Sequence, residues 1–349
     1  MIALLMKRII LQAQNKIGED RSIFGIYHIL QGRVSIQTIQ DIKLYRLSHL
    51  YGIYKHLERN RFIAFIHALQ KQGFLVEKQS DYFVLSMKGK KWLENEKQTG
   101  EQLYINGQQY RQSDKIFHRL QLLVQVWTNM KMRNKQFIPI IEERETANWV
   151  KQFYHRTRTK IDKYLYYLHE ELHDLLLGIS DNYSEVFVAQ LSSYYHIGKT
   201  IEQLSFEYNL TKEDIYLMTT NTLHYLIQKV QLDKSKYPIL KIIMKQVEPE
   251  KNITHSAKIS ARFLQQGYNV EEIATRRGLK VNTIQDHIVE LMMQEHPSVV
   301  LDHYVTSEDI TSVQNAISVT KSYKLKAIKE NVGEKISYFQ IRLVLAVLM

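Results

Sequence analysis

Only 13 glycines and 4 prolines interrupt 349 residues, and this scarcity limits the possible folds more than any other feature. Gly and Pro end helices and shape tight turns, so a chain poor in both builds long helices. The apolar spacing agrees. Phe117, Leu120, Leu123, Val124 and Trp127 recur at helical intervals, and so do Tyr164, Leu165, Leu168, Leu172, Leu175 and Leu176. One stretch departs from the pattern. Residues 73–77 and 81–85 are short apolar runs with Lys78, Gln79 and Ser80 between them, which predicts a single β-hairpin.

The expected fold is therefore mainly α. Helices followed by one hairpin are the pattern of a winged helix, expected over residues 1–95. A polar linker over 96–114 leads to a helical middle domain over 115–250, and residues 251–349 carry a helix-turn-helix. In that last block Ala274 allows close helix crossing and Gly278 supplies a left-handed turn. Leu279 plugs the junction, and Val281, Ile284 and Ile288 are expected to face inward. Lys280, Asn282, Thr283, Gln285 and Asp286 are left outward near the helix start, the end that recognition helices bring to DNA. Docking on a protein stays open as the second use of such a unit. Residues 198–210 align with 267–279, and Ile215 then falls on Ile284, which suggests an earlier, degenerate copy of the motif or a shared helix–turn–helix periodicity without common ancestry.

Charge points to nucleic acid. Lys and Arg number 47 against 36 Asp and Glu, and the pI is near 9.4. The excess is concentrated early. Residues 1–100 hold 16 basic and 8 acidic side chains, and the remaining residues hold 31 and 28. Cysteine is absent, which excludes disulfides, Cys-bound zinc and thiol catalysis. No apolar run approaches the ~18 residues of a membrane helix, so the cytoplasm is the expected compartment, with no membrane partner.

Two regions resemble parts of known helicases. Residues 21–93 resemble the C-terminal winged-helix domain of RecQ helicases through residues 29–39, 51–53, 61–75 and 82–89. Residues 256–349 are similar to the helicase-associated helix-turn-helix domain of some RecQ helicases, with the stretch 336–346 the most specific. In order, the whole chain resembles the YpbB-like family of Firmicutes, whose members are encoded beside a short RecQ-type helicase. The resemblance implies that Arg33, Ser35, Gln37 and Thr38 grip duplex phosphates. It also implies that Gln79, Ser80 and Tyr82 lie at the wing tip, where Tyr82 alone can stack on a base. The residues themselves agree in part, because Ser35 suits a helix N-cap whose free N–H groups attract phosphate, with Arg33 beside it.

The expected function is a non-catalytic, cofactor-free accessory that binds duplex or forked DNA with a RecQ-type helicase in repair or recombination. On this reading a fragment of residues 1–100 binds DNA more tightly than one of residues 250–349. A stand-alone transcriptional regulator is the alternative. A zinc metallohydrolase is a remote third, through His169, Glu170 and His173 in the H-E-x-x-H pattern with Glu185 as a third ligand. Glu171 stands where such helices prefer an apolar residue. Gly198, Lys199 and Thr200 mimic the end of a phosphate loop, but Ser193 occupies the position of its first glycine.

Overall fold

The computed structural model describes residues 4–245, 253–294 and 296–348. The described residues are mainly helical, with one two-stranded sheet. The first elements are α1 (Leu4–Ile17), α2 (Phe24–Gln31), α3 (Ile36–Leu44), α4 (Arg59–Lys71), β1 (Leu75–Gln79), β2 (Tyr82–Leu85) and α5 (Met87–Thr99). Then follow α6 (Ser113–Lys131), α7 (Arg144–Thr157), α8 (Ile161–Leu176), α9 (Asp181–Val188), α10 (Ile201–Glu207), α11 (Lys212–Leu232) and α12 (Pro238–Met244). The last are α13 (His255–Gln265), α14 (Val270–Arg277), α15 (Val281–Met293), α16 (Ser307–Thr320), α17 (Leu325–Val332) and α18 (Tyr338–Val347).

These elements form two compact units. One takes Met1–Ile10 and Trp92–Pro249, and the other takes Leu11–Lys91 and Glu250–Met349. The second unit thus joins stretches that lie far apart in the chain.

In the unit of residues 11–91 and 250–349, α2 stops at Gly32, which takes φ +68°. A Cβ there would lie 2.8 Å from the Gly52 Cα, because the Gly52 N–H donates to the Ile29 carbonyl at the end of α2. α4 buries Phe62, Phe65, Ile66 and Leu69 at helical spacing. The hairpin pairs Leu75 with Leu85 and has a bulge between Glu77 and Gln79. Its turn falls at Ser80 and Asp81, one step later than the sequence suggests. Asp81 takes φ +66°, a conformation that Asp tolerates better than most residues, and Phe83 and Leu85 then face the core.

The two stretches of this unit are bonded to each other. The Asp20 carboxylate accepts from the Tyr323 N–H at 2.8 Å, from the Ser322 hydroxyl and from the Tyr45 hydroxyl. The Lys43 ammonium donates to the Met293 carbonyl at 2.7 Å, and Leu44 of α3 packs on the C-terminal core of Val313, Ile328, Ile341 and Val344.

The other unit is built on α11, whose Leu223, Leu226, Ile227 and Val230 meet Leu120, Leu123 and Trp127 of α6. Segment 96–114, polar enough to suggest a linker, is partly anchored on this unit. Ile105 and Tyr110 are buried. The Tyr104 and Asn106 N–H groups donate to the Asn221 side chain and the His224 ring of α11. Polar residues facing polar partners on a buried helix read, in sequence, like solvated ones.

The two similar segments fold alike. Thr200 caps α10 and Asn269 caps α14, each with a reciprocal capping box. Asn209 and Gly278 take φ +51° and +61° at the two turns. The helices after the turns differ in use. Glu213 and Asp214, which align with Asn282 and Thr283, are buried, and Asp214 accepts the N–H groups of Leu4 and Leu5 at 2.9 Å each. α11 is thus a core helix rather than a reading helix.

Candidate nucleic-acid interface

The C-terminal helix-turn-helix has the expected turn but a shifted helix phase. Gly278 ends α14 in the left-handed conformation, with nothing within 4 Å of a Cβ built on it. Ile284 and Ile288 are fully buried, whereas Val281 is 37% exposed. The expectation that Val281 faces inward is therefore corrected: inward packing begins one turn later, at Ile284. Lys280, Val281 and Asn282 project from the start of α15, with Arg276 exposed on the preceding helix. Thr283 and Gln285 are half-buried.

Asp286, expected outward, is bound to Arg342 at 2.6 Å, so its charge is offset. His287 is buried and hydrogen-bonded to Ser260. Burial, and then the Arg277 charge, lower its pKa and keep the ring neutral.

The N-terminal candidates separate into buried and available groups. Ser35 caps α3, accepting the Thr38 N–H at 3.2 Å, and its hydroxyl meets the Thr38 hydroxyl at 2.8 Å. Thr38 is 4% exposed. Its implied role as a phosphate contact is corrected, since the hydroxyl is spent inside the cap. Arg33 and Gln37 are exposed, and Gln37 donates to Asp41 at 2.8 Å. Ser35 and Thr283 line one cleft of about 260 Å³ between α3 and α15, so the structure brings these two candidates from opposite ends of the chain together.

The wing tip also needs correction. Gln79 is exposed, but Tyr82 is half-buried with the Lys324 ammonium 5.6 Å from its ring centre. The Asp81 carbonyl accepts the Ile23 N–H at 2.8 Å, tying the tip to the start of α2. Tyr82 is therefore not a free stacking face.

A basic cluster that sequence inspection missed lies beside Arg33. The Arg33 guanidinium is 3.1 Å from His28 Nε2, and the Arg59 guanidinium lies 4.3 Å over the Phe24 ring. Burial, then the Arg33 charge and then the Arg59 charge, push the His28 pKa down. Neither arginine has an ion-pair partner among the described residues. Asn60, Ala64, His67 and Lys71 form an exposed stripe along α4. The sequence signal was available in Lys55, His56, Arg59 and Arg61, a run of basic residue types at a helix start.

Residues 256–345 match the family described as Helix-turn-helix domain. Protein YpbB of Bacillus subtilis (strain 168) is 30% identical over 338 residues, which cover 95% of this chain and 94% of that protein. The chain belongs to the YpbB family. No solved structure matches it. In this YpbB-family chain the matched domain runs from α13 to α18 and includes Lys280, Asn282, Thr283 and Gln285. The full-length relationship takes in residues 11–91 and the helical unit as well.

The residues with enzyme-like spacing have structural partners. His169 and His173 stack at 5.9 Å on the exposed face of α8. Glu171 is buried and accepts the Ile239 and Leu240 N–H groups at the start of α12. Glu185 accepts from the Tyr208 hydroxyl. Among the described residues no group of three His, Cys, Asp or Glu is placed to hold a metal. Lys199 pairs with Glu207, and Thr200 is the cap of α10. No helix among the described residues is long and apolar enough to cross a membrane.

Proposed function

We propose that this YpbB-family protein binds duplex or forked DNA through the unit of residues 11–91 and 250–349, without catalysing a reaction itself. On this reading it serves as an accessory to a RecQ-type helicase in repair or recombination. One observation carries the reading: a single compact unit holds both the helix-turn-helix and the Arg33–His28–Arg59 cluster, whose arginines have no ion-pair partner among the described residues. Helices α2 to α4 and the hairpin follow the element order of a winged helix, which supports contact through the exposed stripe of α4. The helicase partner rests on the resemblance of both stretches to modules that flank RecQ motors.

Fluorescence anisotropy with a labelled forked duplex tests the DNA part. Arg33→Glu with Arg59→Glu is expected to lower affinity at least about tenfold, or ~1.4 kcal/mol, and to reduce the salt slope by roughly 0.9 per lost phosphate contact. Unchanged affinity in this double variant and in Lys280→Glu would overturn the assignment. Gentle-salt affinity capture of the tagged protein tests the partner, and recovery without a RecQ-type helicase counts against it.

A further inference from the structure

A second cationic site lies in the other unit, where α6, α11 and α12 enclose a cavity of about 360 Å³. Its floor is apolar, made by Ile116, Ile227, Val230 and Met244. Its rim is cationic, made by Arg111, Lys234, Lys241 and Lys245, and no acidic residue lines it. Lys234, Lys241 and Lys245 are exposed and make no ion pair among the described residues. A neighbouring lysine behaves otherwise: Lys236 is bound to Asp174 at 2.7 Å.

The helix ends at the cavity leave the lysines as its main charge. The first turn of α6, a 19-residue helix, lines the cavity through Ser113 and Ile116, and Asp114 in that turn offsets the positive partial charge of the helix end. The field of α12 is muted as well. Lys241 and Lys245 lie at the C-terminal, negative end of α12, but the buried Arg119 donates to the Ile243 and Lys245 carbonyls there, at 3.2 and 3.0 Å. Asp233 turns its carboxylate onto the Ser235 and Lys236 N–H groups of its own turn.

Lys234, Lys241 and Lys245, gathered without an ion-pair partner among the described residues, repel one another, and an anion relieves that repulsion. The apolar floor asks that the anion carry an apolar body. We infer that this cavity is a phosphate-ester subsite that takes a nucleotide unit of single-stranded DNA, with phosphate at the lysines and base on the floor. It is separate from the duplex-binding surface of the other unit.

The test uses the full chain with Lys234→Glu and Lys241→Glu combined. Both side chains are exposed, and an unchanged Tm confirms the fold. The probe is a labelled ten-nucleotide oligo-dT, read by anisotropy beside a labelled duplex. The expected result is at least tenfold weaker oligo-dT binding, a salt slope reduced by roughly 0.7 per lost contact, and duplex binding within twofold of the parent. Lys234→Arg with Lys241→Arg should retain binding. Oligo-dT affinity unchanged by the Glu substitutions overturns the site. An equal loss for duplex and oligo-dT overturns its separateness. Displacement of oligo-dT by an equal concentration of dTMP would overturn the strand assignment and give the cavity to a free nucleotide. The Arg33→Glu, Arg59→Glu variant separates this site from the duplex surface, since it should lose duplex binding and keep oligo-dT binding.

Discussion

His28 lies 3.1 Å from the Arg33 guanidinium, and burial together with Arg33 and Arg59 lowers its pKa. It is therefore neutral at pH 7 in the free protein. A phosphate bound at the two arginines offsets their charge and lets the ring take a proton, so binding and protonation favour each other. DNA affinity should rise as pH falls from about 7.5 to about 5.5, and His28→Gln should flatten that dependence. A pH profile identical in both proteins would refute the coupling. Asp41 shows the opposite cause for a carboxyl. Burial pushes its pKa up to about 6 against the pull of Arg21, which donates to it at 3.0 Å. A folded pKa above the unfolded one means that this group's contribution to stability is complete below about pH 4. It is lost as pH rises to about 6. Carboxyl-carbon NMR should find an Asp41 midpoint near 6, moving higher in Arg21→Ala; an unshifted midpoint near 4 in the parent would contradict the burial argument. Ser35 as a cap was legible in sequence, because its residue type and place before an apolar helix suffice. The burial of Thr38 was not, since it depends on what packs on α3.

Two left-handed glycines act differently at the scale of elements. Gly278 has open space around a built Cβ, so Gly278→Ala carries only the backbone cost of about 1–2 kcal/mol. Gly278→Asn should cost less, and the similar segment already uses Asn209 at that position. Gly32 has the same kind of φ, but its Cβ would lie 2.8 Å from the Gly52 backbone. Gly32→Ala should therefore lower the denaturation midpoint more than Gly278→Ala, and equal losses would show that the close approach is relieved cheaply. The turn and its left-handed residue were visible in the chain as a spacing. The phase of α15 was not: Val281 has the apolar character of an inward residue, yet the helix packs only from Ile284 onward.

At the scale of the whole molecule, residues 11–91 and 250–349 complete one another. Asp20 holds Ser322 and Tyr323, and Lys43 holds Met293. A fragment of residues 1–100 therefore loses partners of α3, and comparing it with a fragment of 250–349 tests co-folding as much as DNA affinity. Hydrogen exchange over α3 should quicken at least about tenfold when residues 250–349 are deleted. Unchanged protection would show that the N-terminal stretch folds alone. Asp20→Ala, which removes three accepted hydrogen bonds, should cost about 1–3 kcal/mol in thermal unfolding of the full chain.

The pattern of apolar residues and the shortage of Gly and Pro determined the helices, the single hairpin and the helix-turn-helix, because periodicity and turn chemistry are local. The excess of cations early in the chain pointed to anionic partners for the same reason, since composition needs no coordinates. Tertiary structure alone decided which candidates remain in solvent. Thr38 and Tyr82 were drawn inward, Asp286 was paired with Arg342, and His28 and Arg59 were set beside Arg33. It also gathered Lys234, Lys241 and Lys245 around one cavity. These outcomes depend on which distant segment covers which face, and a local pattern does not encode that.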